Sequence, residues 1–447
     1  MSSSTPPSQQ HPAPLPEFTG RSGVVLERLQ RLYPALIDLS LGRLEALLAK
    51  LDHPERRLPP VIHVAGTNGK GSTCANIRAI AEAAGLVVHA TTSPHLVDVT
   101  ERFRVAGRLV SEPVLVATLE RIEAVNAGSP ITVFEVLTAC AFLLFAETPA
   151  DLAVIEVGLG GRYDATNVLT APAACAIASL SMDHEAFLGD TLPGIAHEKA
   201  GIIKPGRPVV TGRQPPEALA EIEAEAARQQ APLLLRDRDW SIEPAPPGSD
   251  APLLYRDAHG TVALPLPGLD GPHQIDNAGL AVATLRASGL ALPVTAFAGI
   301  ARTTWPARMQ RLHGRLAATL PSDWELWLDG GHNPGAGLAL ADTLRSWSDR
   351  PVHLLVGMKQ SKDPAGFLAP LLGVADTIWA VSEPAQHLAL PVAAIIEASG
   401  GVARPGPTVA EALARLVTAD PRPGRVLVCG SLYLAGVVLK ADGWVAE

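Results

Sequence analysis

Cysteine, aromatic residues and clustered positive charge are all scarce in this 447-residue chain, and each scarcity closes off a class of protein. The four cysteines, Cys74, Cys140, Cys175 and Cys429, lie far apart without a CxxC pair, which excludes a disulfide framework and a cysteine-held zinc site. They read instead as small buried apolar side chains in a reducing compartment. Basic residues number 36 against 45 acidic ones, for a formal net charge of −9, and no Lys/Arg block stands out, which argues against a nucleic-acid surface. No apolar run reaches the roughly 20 residues of a membrane-spanning helix. Aromatics make up 4% and apolar residues 47%, the balance of an ordinary globular protein long enough for two or three domains. The opening MSSSTPPSQQHPAPLPEF has neither the basic start nor the apolar stretch of a secretion signal. Residues 1–20 therefore read as a disordered tail, and the cytoplasm is the expected location.

What the chain does have is a repeated alternation of short apolar runs and longer helical patterns, which predicts an α/β fold around parallel sheets. In the first half the runs PVIHVAG, LVVHATT, DLAVIEVG, ACAIASLS and RPVVTG predict strands. The segments 72–84, 112–126 and 135–147 predict helices between them. A second alternation starts late, at WELWLDGG, and continues through PVHLLVGM, DTIWAVS and GRVLVCGS. Between the two sets, LLYRD…TVALPLPG predicts a β-hairpin excursion. These signals place one domain over 21–311 and a second over 312–447.

The stretch HVAGTNGKGST joins a predicted strand to a predicted helix through Gly66, Thr67, Asn68, Gly69, Lys70, Gly71 and Ser72. A glycine turn opening a helix presents free backbone N–H groups at the positive end of the helix dipole, an arrangement suited to phosphate. Lys70 would add a point charge and Ser72 a hydroxyl for phosphate or a metal ion. The common G-x-x-x-x-G-K-[ST] pattern is not met, because Val64 stands where its first glycine would be. A plain glycine-rich turn is the rival reading of the segment alone. The strand before it and the helix after it favour a nucleotide.

A bound nucleotide needs a cation, and hard ligands for one belong at the carboxyl ends of neighbouring strands. Glu156 ends one predicted strand, SMDHE places Asp183 and His184 after the next, and HEKAG sets Lys199 shortly beyond. Taken singly, each has a plainer account: a capping acceptor, a loop histidine, a solvated lysine. Together, beside a phosphate loop, they read as one site.

The strings HVAGTNGKGS, TTSPHL, TERFRV, IEVGLGGRYDATN, DHEAFLG, EKAGIIK, HQIDNA, WPARMQ and LDGGHNPGA follow in this order. From about Leu41 to the end, the chain resembles the folylpolyglutamate synthase/dihydrofolate synthase family within the Mur-ligase group. The resemblance implies an N-terminal P-loop domain with a parallel sheet, a C-terminal Rossmann-like domain and an active site in the cleft between them. It implies an ATP-dependent ligase that adds L-glutamate through an acyl phosphate to dihydropteroate and to the γ-carboxyl of tetrahydrofolate, or to tetrahydrofolate alone, two activities the sequence does not separate, and it suggests a monomer. It assigns Lys70 and Ser72 to the triphosphate. One Mg2+ would sit with Ser93 and Glu156, and a second with Glu156, His184 and a carbamylated Lys199. It further assigns Asn277 to adenine, Arg308 to the phosphates, and Asp329 and His332 to the residues that close on the nucleotide. Phe134, Arg162 and Asp164 fall in stretches that resemble the folate contacts, although Phe134 reads equally well as a core aromatic. Two positions depart from the family pattern, Ala307 within P-G-R and Gly331 within D-G-A-H-N, both exchanges among small residues.

Three other readings are weighed. A murein-precursor ligase would carry a UDP-binding domain ahead of the loop, and only about sixty residues precede Gly66. A P-loop switch or transporter NTPase would not need the second α/β domain. A non-catalytic scaffold would have no use for Lys70, Glu156 and His184 together.

Overall fold

Strands buried on both faces must be largely apolar, and the continuous runs read from the sequence become the centres of two parallel sheets. The computed structural model describes residues 20–33 and 38–446. The expected tail lies outside the described residues except for Gly20, which opens a helix over Gly20–Gln30 that buries Val25, Leu26 and Leu29.

The first sheet contains β1 (Val61–Ala65), β2 (Val88–Thr91), β3 (Phe103–Val105), β4 (Arg108–Leu109), β5 (Leu152–Glu156), β6 (Ala174–Ile177), β7 (Val209–Thr211) and β8 (Leu233–Leu235). Their order is β4-β3-β2-β5-β1-β6-β7-β8, parallel except where β3 and β4 run antiparallel at one edge. All five predicted strands of this half are present and carry its centre. The edge strands β3, β4 and β8 were not expected, since two or three residues give no readable apolar run. The predicted hairpin is a three-stranded antiparallel meander of β9 (Trp240–Pro244), β10 (Leu253–Asp257) and β11 (Gly260–Leu264). Trp240 and Tyr255 on it are buried against the helix Pro272–Ala287.

The second sheet holds β12 (Gln310–Leu312), β13 (Glu325–Leu328), β14 (Val352–Val356), β15 (Thr377–Ala380), β16 (Arg404–Pro405) and β17 (Arg425–Cys429), in the order β12-β13-β17-β14-β15-β16. The four predicted strands are the central ones, and all neighbours are parallel except β12 with β13. β12, which pairs with β13 in this sheet, straddles the expected 311/312 division. The four cysteines are free and buried, as their spacing suggested. Among the described residues no helix is long and apolar enough to cross a membrane.

β1 pairs with β5 on one side and β6 on the other, so the chain leaves the sheet in opposite directions from its centre. The carboxyl ends of the strands around such a switch point form a crevice. The loops after β1, β5 and β6 all open into it, facing the loops after β13 and β14 of the second domain.

Candidate active site

The loop after β1 is built as its composition requires. Gly66 adopts φ +148°, and a Cβ there would stand 2.8 Å from the Cβ of Ala178. Gly69 sits at φ +85° as the residue that opens the helix Lys70–Ala83, where a Cβ would run into the side chain of Asn277. Gly66→Ala is expected to destabilise the protein by about 1–3 kcal/mol through this overlap. A urea-unfolding midpoint equal to that of the parent would show that the loop has room.

Lys70 Nζ donates to the carbonyl oxygens of Gly66 (3.0 Å) and Thr67 (3.2 Å), which holds its ammonium over the loop. Ser72 is 1% exposed and its Oγ has no hydrogen-bond partner. An orphaned buried hydroxyl at the mouth of a phosphate loop is a fitting ligand for a hard cation or a phosphate oxygen.

Glu156 ends β5 as a buried carboxylate that accepts from the Ser93 N–H at 3.1 Å. Burial raises its pKa, and the nearby charges of Lys70, Arg308 and Arg102 and that N–H partly offset the rise. Lys199, in the last turn of the helix Leu192–Ala200, is 5% exposed and donates to the Gly66 carbonyl at 3.0 Å. Burial first, and then Lys70, push its amine down to about 7. His184 lies on the turn after β6 with φ +56°, opening on the crevice, and burial together with the surrounding lysines lowers its imidazole. Among the described residues no three His, Cys, Asp or Glu side chains cluster closely enough to hold a metal by themselves. The hard oxygens of Ser72 and Glu156 do suit a divalent cation whose remaining ligands come from phosphate.

The second domain supplies the other wall. Asp329 follows β13 directly, and its oxygens accept from the N–H groups of Met309 (2.9 Å) and Gly331 (2.7 Å), tying the interdomain linker to the loop that carries His332. His332 Nδ1 lies 2.8 Å from the Gly330 carbonyl, and its Nε2 lies 3.5 Å from Asp183 of the first domain. Arg308 Nη1 donates to the Ala307 carbonyl at 2.8 Å. Ala307 is fully buried at φ +53°, so the alanine in place of the family's glycine stands in a left-handed conformation that costs an L-residue about 1–2 kcal/mol.

These groups line one cavity of about 460 Å3 between the domains. Every residue read from the loop and strand ends, together with Asn277, Arg308, Asp329 and His332, borders it. Phe134 lies on its apolar arm, in the first turn of a helix whose start is fixed by reciprocal capping between Thr132 and Glu135, with its ring against Gly158. Asp164 also lines this arm, while its oxygens accept from the N–H groups of Leu159 (2.8 Å) and Thr166 (3.0 Å), so it shapes the loop it stands on.

Arg162 is the exception. Its guanidinium turns away from the cavity to the buried carboxylate of Glu225 (3.0 Å), which Arg228 also pairs, and to the His197 carbonyl. It therefore supports the Gly158–Thr166 loop from behind. The sequence reading missed Lys359, Lys362, Asn333 and Ser431 of the second domain, and Arg102, Tyr163 and Phe187 of the first, all on the crevice apart from Asn333 behind its rim. For Lys362, the run MKQSKDP at the end of a strand was the available signal.

Residues 314–441 match the family described as dihydrofolate synthetase, C-terminal domain. The dihydrofolate synthase/folylpolyglutamate synthase of Escherichia coli is 34% identical over 427 residues, covering 93% of this chain and 94% of that one. The protein of the same name from Mycobacterium tuberculosis is 36% identical over 402 residues, covering 83% and 80%. Among solved structures, Escherichia coli FolC in complex with DHPP and ADP superposes with a TM-score of 0.83 at 33% identity, covering 94% of this chain and 97% of that one. A bifunctional folylpolyglutamate synthase/dihydrofolate synthase with Mn, AMPPNP and L-glutamate bound gives a TM-score of 0.82 at 32% identity, covering 95% and 98%.

Proposed function

The chain belongs to the folylpolyglutamate synthase/dihydrofolate synthase family of ATP-dependent glutamate ligases, and on that premise we propose that its cleft glutamylates both dihydropteroate and tetrahydrofolate. The observation that carries this reading is the meeting, in one cavity, of a phosphate loop, an apolar arm around Phe134, and the Asp329–His332 loop from the facing domain.

A carboxylate does not condense with an amine in water, so it must first be activated. The γ-phosphoryl of ATP passes to a carboxylate oxygen of the acceptor, giving an acyl phosphate and ADP. The free amine of glutamate attacks the acyl carbon. The tetrahedral intermediate then loses phosphate and a proton to leave the amide. Lys70 spreads the charge of the transferring phosphoryl from within the loop, and Arg308, on the linker that Asp329 holds, reaches the same phosphates from the other side. Asn277, fixed by Gln274 at 3.0 Å, borders the adenine end. Phe134 offers a face to the pterin ring.

Divalent cations would be held by Ser72, Ser93 and Glu156 beside the phosphates, and by Glu156, His184 and a carbamylated Lys199 next to them. They would supply charge neutralisation. An ammonium cannot ligate a cation, whereas a carbamate presents anionic oxygens, and a lysine whose pKa is pushed down to about 7 is partly neutral at that pH and can react with carbon dioxide.

The test is ADP release by the purified protein with Mg2+, ATP and glutamate, with either dihydropteroate or tetrahydrofolate as acceptor. Release with both, dependent on glutamate, is the expected result. Release with tetrahydrofolate alone would restrict the enzyme to tail extension. Release with neither would overturn the reading.

A further inference from the structure

The two domains are joined at the rim of the cavity by a polar knot that the chemistry above does not use. Asp183, 8% exposed on the loop after β6, receives the ammonium of Lys362 from the loop after β14. It also accepts from Asn333 Nδ2 at 3.0 Å and from the His184 N–H at 2.8 Å. Asn333 is 2% exposed, and its amide is fully engaged. Its Oδ1 accepts from Asn68 Nδ2 of the phosphate loop (3.0 Å) and from the Ala336 N–H (2.9 Å). Its Nδ2 donates to Asn68 Oδ1 (3.0 Å) as well as to Asp183.

Exposed ion pairs are worth little, but a buried pair that spans two bodies differs, because separating the bodies strands both charges. Here the carboxylate belongs to one domain and its cation and amide to the other. The same contacts fix the phosphate loop through Asn68 and the turn that carries His184. Closure of the cleft and the geometry of its reactive wall are thus one arrangement.

We propose that Lys362 and Asn333, through Asp183 and Asn68, are positioning residues that keep the cleft shut over the acyl phosphate until the amine attacks. This rests on the ligase reading above. With the cleft open, water competes for the acyl phosphate. Attack breaks its C–O–P linkage, returning the carboxylate and inorganic phosphate and releasing a proton. ATP is then consumed without amide formation. The quantity that the knot controls is therefore the number of ADP molecules released per amide formed.

Lys362→Met removes the cation, and Asn333→Ser keeps an N-cap for the helix Pro334–Arg345 while losing the bridging amide. Both variants are expected to raise the ADP-to-amide ratio from about one to three or more, measured with tetrahydrofolate, glutamate and Mg2+-ATP. Lys362→Arg, which keeps the charge, is expected to bring the ratio back toward one. A ratio that stays at one in both variants overturns the proposal. If ADP and amide fall together, Lys362 touches the reactants; if neither changes, the knot is idle. Absence of amide in the parent protein with either acceptor would instead refute the ligase reading itself.

Discussion

Lys70→Ala is expected to lower amide formation by about 1,000-fold or more while leaving the fold intact. Removing one preorganised donor from a site of developing charge costs about 100- to 1,000-fold. Lys70 is a full charge within a loop whose other donors are backbone N–H groups. The fold should survive because the hydrogen bonds of Lys70 go to the Gly66 and Thr67 carbonyls, which water can replace. The core of its helix is made by Cys74, Ile77, Ile80 and Ala81. Arginine is not expected to substitute, since its planar fork is wider than the ammonium that the turn encloses. Steady-state rates with a melting curve of the variant decide the matter. Near-normal turnover in a folded Lys70→Ala protein would refute the phosphate-loop assignment.

Lys199→Met is expected to have an effect of similar size for a different reason. The parent amine is buried, donates to Gly66 and has its pKa pushed down to about 7. At neutral pH a large share is unprotonated and free to form an N–C bond with carbon dioxide, losing a proton to become a carbamate. An ordinary lysine near 10.4 offers almost no such amine. Loss of amide formation by about 1,000-fold, with partial return on adding a short carboxylate such as formate, is the expected signature, together with a mass gain of one carbon dioxide on the parent peptide. Unchanged activity in Lys199→Met would remove the lysine from the site. The substitution should not unfold the protein. With a folded pKa of about 7 below the ordinary unfolded value, the unfolded chain holds the extra proton between those two values. The buried amine therefore penalises folding most at pH below 7, and the penalty fades as pH rises toward 10. Methionine removes that penalty, so the variant should resist urea at least as well as the parent at pH 6.

Much of this architecture is readable without coordinates. Strands buried on both faces must be largely apolar, and for that reason the nine central strands were visible while the edges β3, β4, β8, β12 and β16 were not. An edge strand of two or three residues needs only a neighbour to pair with, and that neighbour comes from elsewhere in the chain. The loop residues at Gly66–Ser72 were readable because backbone needs are local: glycine where φ is positive, a hydroxyl and a lysine at the helix start. Arg162 shows the limit. Its stretch GGRYDATN resembles a folate contact, but Glu225, 63 residues away, claims its guanidinium.

The sequence by itself determined the α/β class, the glycine turn that opens a helix after β1, and the carboxylate and imidazole after neighbouring strands with a lysine on the next helix, because these depend on periodicity and on the chemistry of short segments. Only the tertiary structure decided which side chains complete the cavity. The pairs Asn68–Asn333 and Asp183–Lys362 lie 265 and 179 residues apart. No local pattern encodes such contacts. They form because two separately built sheets pack with their strand ends facing one another, and a buried charge at that seam must find its partner on the other side.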